Sequence, residues 1–434
     1  MQPQTESTVS PSVSQAEDDA DPVAVRPDAS LWENCAELDA DVTDIEGSLP
    51  EGLKGSLVRN GPAKRDLGTY FWDGDGMVRA VDFLEDGRIR YRAKYVQTPK
   101  YLAEREATQP HFRSGGTNRP GGILGNAFRF PESEANTHVI AYDGKLLACH
   151  EGGHPYRINP ATLETEAHEH FGGALDKRTT FSAHPHPDPH TGDLYNFGFQ
   201  GGPRGALLRA VRLSSDGRLH HVGKIPLDAM TMMHDFAVSE RWLAFFEAPL
   251  TLSFAKMVLG IGAVFDAFQW QSGRVGKVHL LSKDGGRHVT FETEPFLFGH
   301  AIATREVGDE LEVDFVRAPG WDVAGEGLAG FRADGLTFTD QMCSWRMRLN
   351  PRSGRVSASH ELDPLSGDFP RSDERRAMHE NRYTYLAANP RDGMQGLFRG
   401  TMKLDLKTGK RELFQAIGRK LSVKALGVGL GLAN

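Results

Sequence analysis

The chain has 434 residues, of which 39% are hydrophobic and 25% charged, a globular composition with ample apolar material for a core. Its 50 Lys and Arg stand against 58 Asp and Glu, a net charge of −8, which argues against a nucleic-acid partner. Three cysteines, Cys35, Cys149 and Cys343, are too few and too widely spaced for a disulfide framework, so a reducing cytoplasm is expected.

In chain order, residues 1–30 are rich in Ser, Pro, Asp, Glu and Gln and lack the basic and apolar regions of a signal peptide. They are read as a disordered tail. From residue 45 onward short β-rich runs alternate with glycine turns, as at Asp143-Gly144, Asp284-Gly285, Ser353-Gly354 and Thr408-Gly409. Such turns supply the positive φ that tight hairpins need. Flanking runs such as Leu311-Glu312-Val313-Asp314-Phe315 alternate as half-buried strands do. Repeated hairpins predict a sandwich, barrel or propeller, and the lack of a tight repeat of about 40 residues argues against the WD40 type. Residues 248–268 break the pattern with a run of large apolar side chains, interrupted by Lys256, two glycines and Asp266. That makes a poor membrane span. The run is read either as a helix packed on the core or as an apolar lip that meets a greasy substrate or a membrane surface.

Three histidines stand in three separate phrases: Phe181-Ser182-Ala183-His184-Pro185, Met232-Met233-His234-Asp235-Phe236 and Phe298-Gly299-His300-Ala301-Ile302. Spacings of 50 and 66 residues place each on its own supersecondary unit. Such intervals favour a propeller, in which each blade offers one inner strand to a common axis. Imidazoles gathered from distant elements suit a first-row transition metal with open positions. With 17 His in the chain, any one of them taken singly is more often structural. The three phrases together carry the metal reading.

A resemblance adds to this. The phrases Gly55-Ser56-Leu57-Val58-Arg59-Asn60-Gly61-Pro62, Phe71-Trp72-Asp73-Gly74-Asp75-Gly76-Met77, Ala183-His184-Pro185, Met233-His234-Asp235-Phe236-Ala237, Asp368-Phe369-Pro370-Arg371 and Arg382-Tyr383-Thr384-Tyr385 follow one another in a family order. From about residue 45 to 412 the chain is similar to the carotenoid cleavage oxygenases, which include apocarotenoid and lignostilbene dioxygenases and a retinoid isomerase. The resemblance implies an all-β, seven-bladed β-propeller over residues 31–417, with Fe(II) on its axis under a dome of loops and helix that forms an apolar tunnel. It implies that His184, His234 and His300 hold the iron, with Glu151 and Asp368 behind them fixing ring orientation. Asp368 stands where the family usually has Glu, and its shorter side chain predicts a lengthened or water-relayed bond. His150 and Tyr101 are candidate substrate contacts. The glycines and aspartates of the Arg59-to-Met77 phrase are read as turn formers, with no catalytic role for Asp73 or Asp75.

Two departures matter. Ala303 occupies a position where the family has Asn. The family's fourth histidine ligand, expected near the C-terminus, has no counterpart, since only His360 and His379 follow His300 and both are read as solvated. Residues 418–434 are therefore read as an atypical disordered tail that leaves the last blade incomplete, with weak iron retention as the consequence. The function implied is an Fe(II)-dependent dioxygenase that uses O2 to split a C=C bond of a carotenoid or apocarotenoid into two carbonyls. The substrate is lipophilic, and peripheral membrane contact through 248–268 is expected. The alternatives are a stilbene-cleaving dioxygenase, whose branch carries Lys at the position of His150, and a truncated, non-catalytic propeller that binds an apolar ligand.

Overall fold

The computed structural model describes residues 36–45, 47–64, 70–176, 179–202, 205–320, 342–389, 398 and 400–415. Six four-stranded antiparallel sheets succeed one another along them, numbered here as blades: blade 1 spans 38–95, blade 2 138–168, blade 3 186–227, blade 4 237–293, blade 5 297–363 and blade 6 367–415. In blades 2 to 6 the strands are ordered as in the sequence; in blade 1 the strand Leu38–Val42 pairs beyond Ile89–Tyr95 and forms the far edge. The near edges touch one another. Gly55–Lys64 of blade 1 meets His138–Tyr142 of blade 2, and Leu297–Val307 of blade 5 meets both Ala237–Val238 of blade 4 and Gly367–Ser372 of blade 6. These first strands line a common axis.

Stacking explains the strand sequences. A sheet wedged between two others buries both faces, so the second strand of blade 4, Trp242–Glu247, reads Trp-Leu-Ala-Phe-Phe-Glu and is buried almost throughout. The last strand of blade 5, Arg355–Asp363, is largely exposed and polar. Apolar clusters fill the junctions of blades 1 and 2, 2 and 3, 3 and 4, 4 and 5, and 5 and 6. In the fourth of these, Phe246 and Phe298 stack at 4.1 Å between centroids, adding aromatic geometry to area burial. Within blades, the hairpin turns use glycine as the sequence predicts, with Gly144 in blade 2 at φ 67° and Gly285 in blade 4 at φ 74°.

The propeller expectation holds, but its blade count is corrected: six sheets stand among the described residues, where seven were expected. Every described strand outside one two-stranded pair, Leu250–Leu252 with Phe268–Trp270, already belongs to one of the six, so none remains to build another. The expected tails, 1–30 and 418–434, lie outside the described residues. Helix among the described residues is confined to short segments, with α-helices at Pro99–Glu104, Gly122–Asn126 and Phe254–Leu259, so the helical part of the expected dome is small.

The apolar run 248–268 contains a short helix with one buried and one exposed side. Ser253 caps the helix Phe254–Leu259 by accepting from the Lys256 N–H, and Gly260 ends it at φ 67°. A Cβ at Gly260 would lie 2.7 Å from Asn126, so this close approach requires glycine. Met257 is buried, whereas Leu259 and Ile261 are exposed. The buried Arg113 clamps this excursion to residues 122–130: its Nη1 donates to the carbonyls of Met257 at 2.8 Å and Arg129 at 2.7 Å. The excursion is also tied to the strand leading to the axis, because the Leu252 N–H donates to the Met230 carbonyl and Thr231 Oγ1 to the Ala248 carbonyl.

Candidate metal centre

Each axial histidine is flanked by apolar residues that anchor it. Phe181 beside His184, Met233 and Phe236 beside His234, and Phe298 and Ile302 beside His300 are all buried. Backbone bonds from Ser182 N–H to the Phe197 carbonyl and from Phe181 N–H to the Gly153 carbonyl hold the first phrase against its neighbours. At the third, a Cβ on Gly299 would lie 2.5 Å from Met342 and 3.2 Å from the Val316 carbonyl, so glycine lets the strand pack closely where its register shifts around His300.

The anchored rings converge. His234 Nε2 lies 3.0 Å from His184 Nε2 and 3.0 Å from His300 Nε2. Their outer nitrogens meet carboxylates: His300 Nδ1 lies 2.7 Å from Asp368 Oδ1 and His234 Nδ1 2.7 Å from Glu151 Oε1. The Asp368 contact is a directed hydrogen bond. Glu151 Oε1 is equally close but less well aligned with the N–H, so its contact is the more electrostatic of the two. The expected lengthening at Asp368 is therefore not found. The register shifts between Asp368 and Arg371, and Phe369 there sits in the left-handed region at φ 57°.

The donor set can be tested against a metal. Carboxylates only accept, so a neutral His234 and a neutral His300 carry their protons on Nδ1 and turn bare Nε2 lone pairs towards each other. Two lone pairs at 3.0 Å need a cation between them. Nitrogens in adjacent positions of an octahedral ion with bonds of about 2.1 Å lie about 3.0 Å apart, so the rings fit an ion that keeps further positions open. Without that ion the charges are uneven. Burial works against a charge on His234, but the Glu151 carboxylate outweighs it and raises the ring to about 9. Burial and the neighbouring imidazoles hold His184 well below the ordinary histidine range.

Three axial residues went unread in the sequence. Asp235, buried, accepts from His186 at 2.7 Å and from the Phe236 N–H at 2.7 Å through Oδ1, and from the Ala301 N–H at 2.9 Å through Oδ2. It thus ties together the strands that carry all three histidines. Burial would raise its carboxyl, but His186 opposes this and the group stays below the usual range. His138 stacks on His184 at 5.4 Å, and burial beside Arg371 pushes it down to about 3. The signal for His186 was available: residues i and i+2 of a strand share a face, and His184-Pro185-His186 has that spacing.

The remaining candidates lie elsewhere or act differently. His150 accepts the Gly152 N–H on Nδ1 and places Nε2 3.1 Å from Glu134; burial lowers it to about 4. Tyr101 stacks on Tyr95 at 4.7 Å and packs against the blade 1 core; nothing brings it to the histidines. Asp73 accepts the Gly116 N–H and Asp75 pairs with the buried Lys100; both are buried and structural, and Asp75 begins the strand Asp75–Phe83 instead of forming a turn. His360 lies on the outer strand of blade 5 and His379 pairs with His190 at 2.5 Å. Neither joins the axial group among the described residues.

Residues 31–423 match the model of the family described as retinal pigment epithelial membrane protein, RPE65. The chain belongs to this family, that of the carotenoid cleavage oxygenases. It is 28% identical over 397 residues to the apocarotenoid-15,15'-oxygenase of Synechocystis sp., covering 87% of this chain and 79% of that protein. With resveratrol cleavage oxygenase 1 of Aspergillus fumigatus it shares 32% over 382 residues, 83% of this chain and 73% of the other. Among solved structures, an ACO/RPE65 chimera superposes with a TM-score of 0.80 at 25% identity, over 89% of this chain and 84% of the chimera.

Proposed function

We propose that the chain is an Fe(II)-dependent dioxygenase that cleaves a C=C bond of a carotenoid or apocarotenoid to two carbonyl products. The convergence of His184 and His300 on His234, each 3.0 Å from it, with all three within 4.8 Å of one another and backed by Glu151 and Asp368, carries this reading. A relative, the Synechocystis ACO, has been crystallised in cobalt-substituted form, which supports a first-row transition ion for this donor set. When bound, iron would supply open positions where O2 is activated beside the alkene. The chain's own residues set up that position. Glu151 and Asp368 keep the Nδ1 protons outward and the Nε2 lone pairs inward. Asp235 holds the three histidine-bearing segments in register. No side chain of the group is required as a general acid or base.

The stilbene reading draws on the resveratrol-cleaving relative and on isoeugenol monooxygenase of Pseudomonas putida, 28% identical over 363 residues. A phenol is activated best by a cation, and His150 is not one: burial keeps it neutral while it donates to Glu134. That favours the polyene. The source of a greasy substrate is an apolar patch on the paired excursions, where Leu124 is 95% and Phe128 74% exposed beside Leu259 and Ile261. Such a patch suits the surface of a membrane. No helix of the described residues is long and apolar enough to cross one.

The test is direct. Purified chain, loaded anaerobically with Fe(II), is exposed to air with an apocarotenal or with a hydroxystilbene. Bleaching of the apocarotenal to two carbonyl fragments is expected, with the stilbene intact. Cleavage of the stilbene alone would select the alternative, and cleavage of neither by iron-replete protein would leave a binding propeller.

A further inference from the structure

A second group of three histidines lies away from the axis. His154, His168 and His170 each offer a ring nitrogen within 4.8 Å of the others. They come from the loop before Tyr156–Ile158, the end of Thr165–His168, and the residue that precedes the turn Phe171–Gly173. Each ring is held. His154, only 5% exposed, has Nε2 2.9 Å from the Thr179 carbonyl. A carbonyl accepts only, so Nε2 carries the proton and Nδ1 presents its lone pair. That lone pair faces His170 Nδ1 at 2.8 Å. His168 lies flat on Tyr156, with centroids 4.4 Å apart and planes within 5°, and its ring is 4.5 Å from that of His170. Glu169, between the two, is turned to other partners: it accepts from the Phe171 N–H and pairs with Arg157.

We infer that His154, His168 and His170 form a second metal site, suited to a divalent ion of the zinc type and separate from the axial centre. A hydrogen bond between His154 and His170 would account for two of the rings. It gives no reason for the third to be brought to the same point by stacking. A ring with one nitrogen committed to a backbone carbonyl and the other free is the usual arrangement of a zinc-bound histidine. Three imidazoles with a water in the fourth position satisfy such an ion. Tetrahedral ligands lie about 3.4 Å apart for bonds of 2.0–2.1 Å, so His154 and His170 must part by about half an ångström, which the loop position of His170 allows. The ion would act as a clasp. His154 follows closely on Glu151, and Thr179 leads into the His184 phrase, so both tethered segments run into the axial site.

The experiment uses chelator-stripped whole protein, titrated with Zn(II) and desalted, with bound zinc counted per chain. Wild type is expected to hold two ions, H168Q/H170Q one, and H184A/H234A one. Co(II) bound to H184A/H234A should show the intense visible bands of a four-coordinate ion. Circular dichroism checks that each variant is folded; should the double variant fail, H168Q alone, at an exposed position, replaces it. Equal zinc content in wild type and folded H168Q/H170Q or H168Q would overturn the site. Since the readout is zinc and not turnover, its failure leaves the oxygenase reading untouched.

Discussion

The two histidine groups are built alike and situated differently. In both, three imidazoles come together and at least one is aimed by a hydrogen bond on its far nitrogen. The axial group draws its rings from segments 50 and 66 residues apart, so it exists only when three blades are assembled, and it is backed by carboxylates. The blade 2 group spans residues 154–170 and is backed by a carbonyl. The lesson is electrostatic as much as topological. Carboxylates behind the axial rings fix their tautomers and add negative charge that favours a bound cation, whereas a neutral carbonyl only orients its ring.

This contrast can be broken most sharply at His234, the one axial ring within 3.0 Å of both others. His234→Ala should abolish iron binding and turnover, whereas His168→Ala should leave both near wild type, as iron analysis and polyene bleaching would show. Next in size are the carboxylates. Glu151→Gln and Asp368→Asn should each cost about 10–100-fold in iron affinity or activity. The loss should be larger at Asp368, whose bond is directed, and a Kd series for Fe(II) would rank them. Asp235→Asn turns one of the two acceptor oxygens at a buried three-way junction into a donor that faces other donors, and should destabilise the fold by about 1–3 kcal/mol, measurable by urea unfolding. Because the folded-state Asp235 carboxyl titrates below its ordinary value, its contribution is present above that value and lost as pH falls through the folded pKa. The variant should therefore lose less stability than wild type in strong acid. The smallest effect lies on the apolar patch: L124D/F128D should weaken flotation with liposomes while turnover of detergent-dispersed substrate stays unchanged.

Much of the axial site was legible because each histidine is bracketed by large apolar residues at strand ends, a pattern that local chemistry dictates. Glu151 and Asp368 were legible only through resemblance. What stayed hidden was geometry without a compositional sign. Nothing in Asp368-Phe369-Pro370-Arg371 announces that Phe369, next to the Asp368 contact, adopts φ 57°, a conformation that side chains of its size rarely take. The count of seven blades came from the resemblance and not from the residues, since hairpin turns mark strands but not their grouping into sheets; six sheets stand among the described residues, with the strand Leu38–Val42 at the far edge of blade 1. His154 and His170 were invisible because their meeting depends on the pairing of Tyr156–Ile158 with Thr165–His168 and on the bond from the Glu169 N–H to the Pro155 carbonyl.

The central claim is that His184, His234 and His300 share one iron ion. Iron retained per chain after anaerobic Fe(II) loading and desalting tests it most directly, in wild type and in the three single alanine variants. With three histidines and no fourth among the described residues, the account predicts partial iron occupancy in wild type and near none in each variant, at unchanged secondary structure. Undiminished iron in any one of the three folded variants would contradict it.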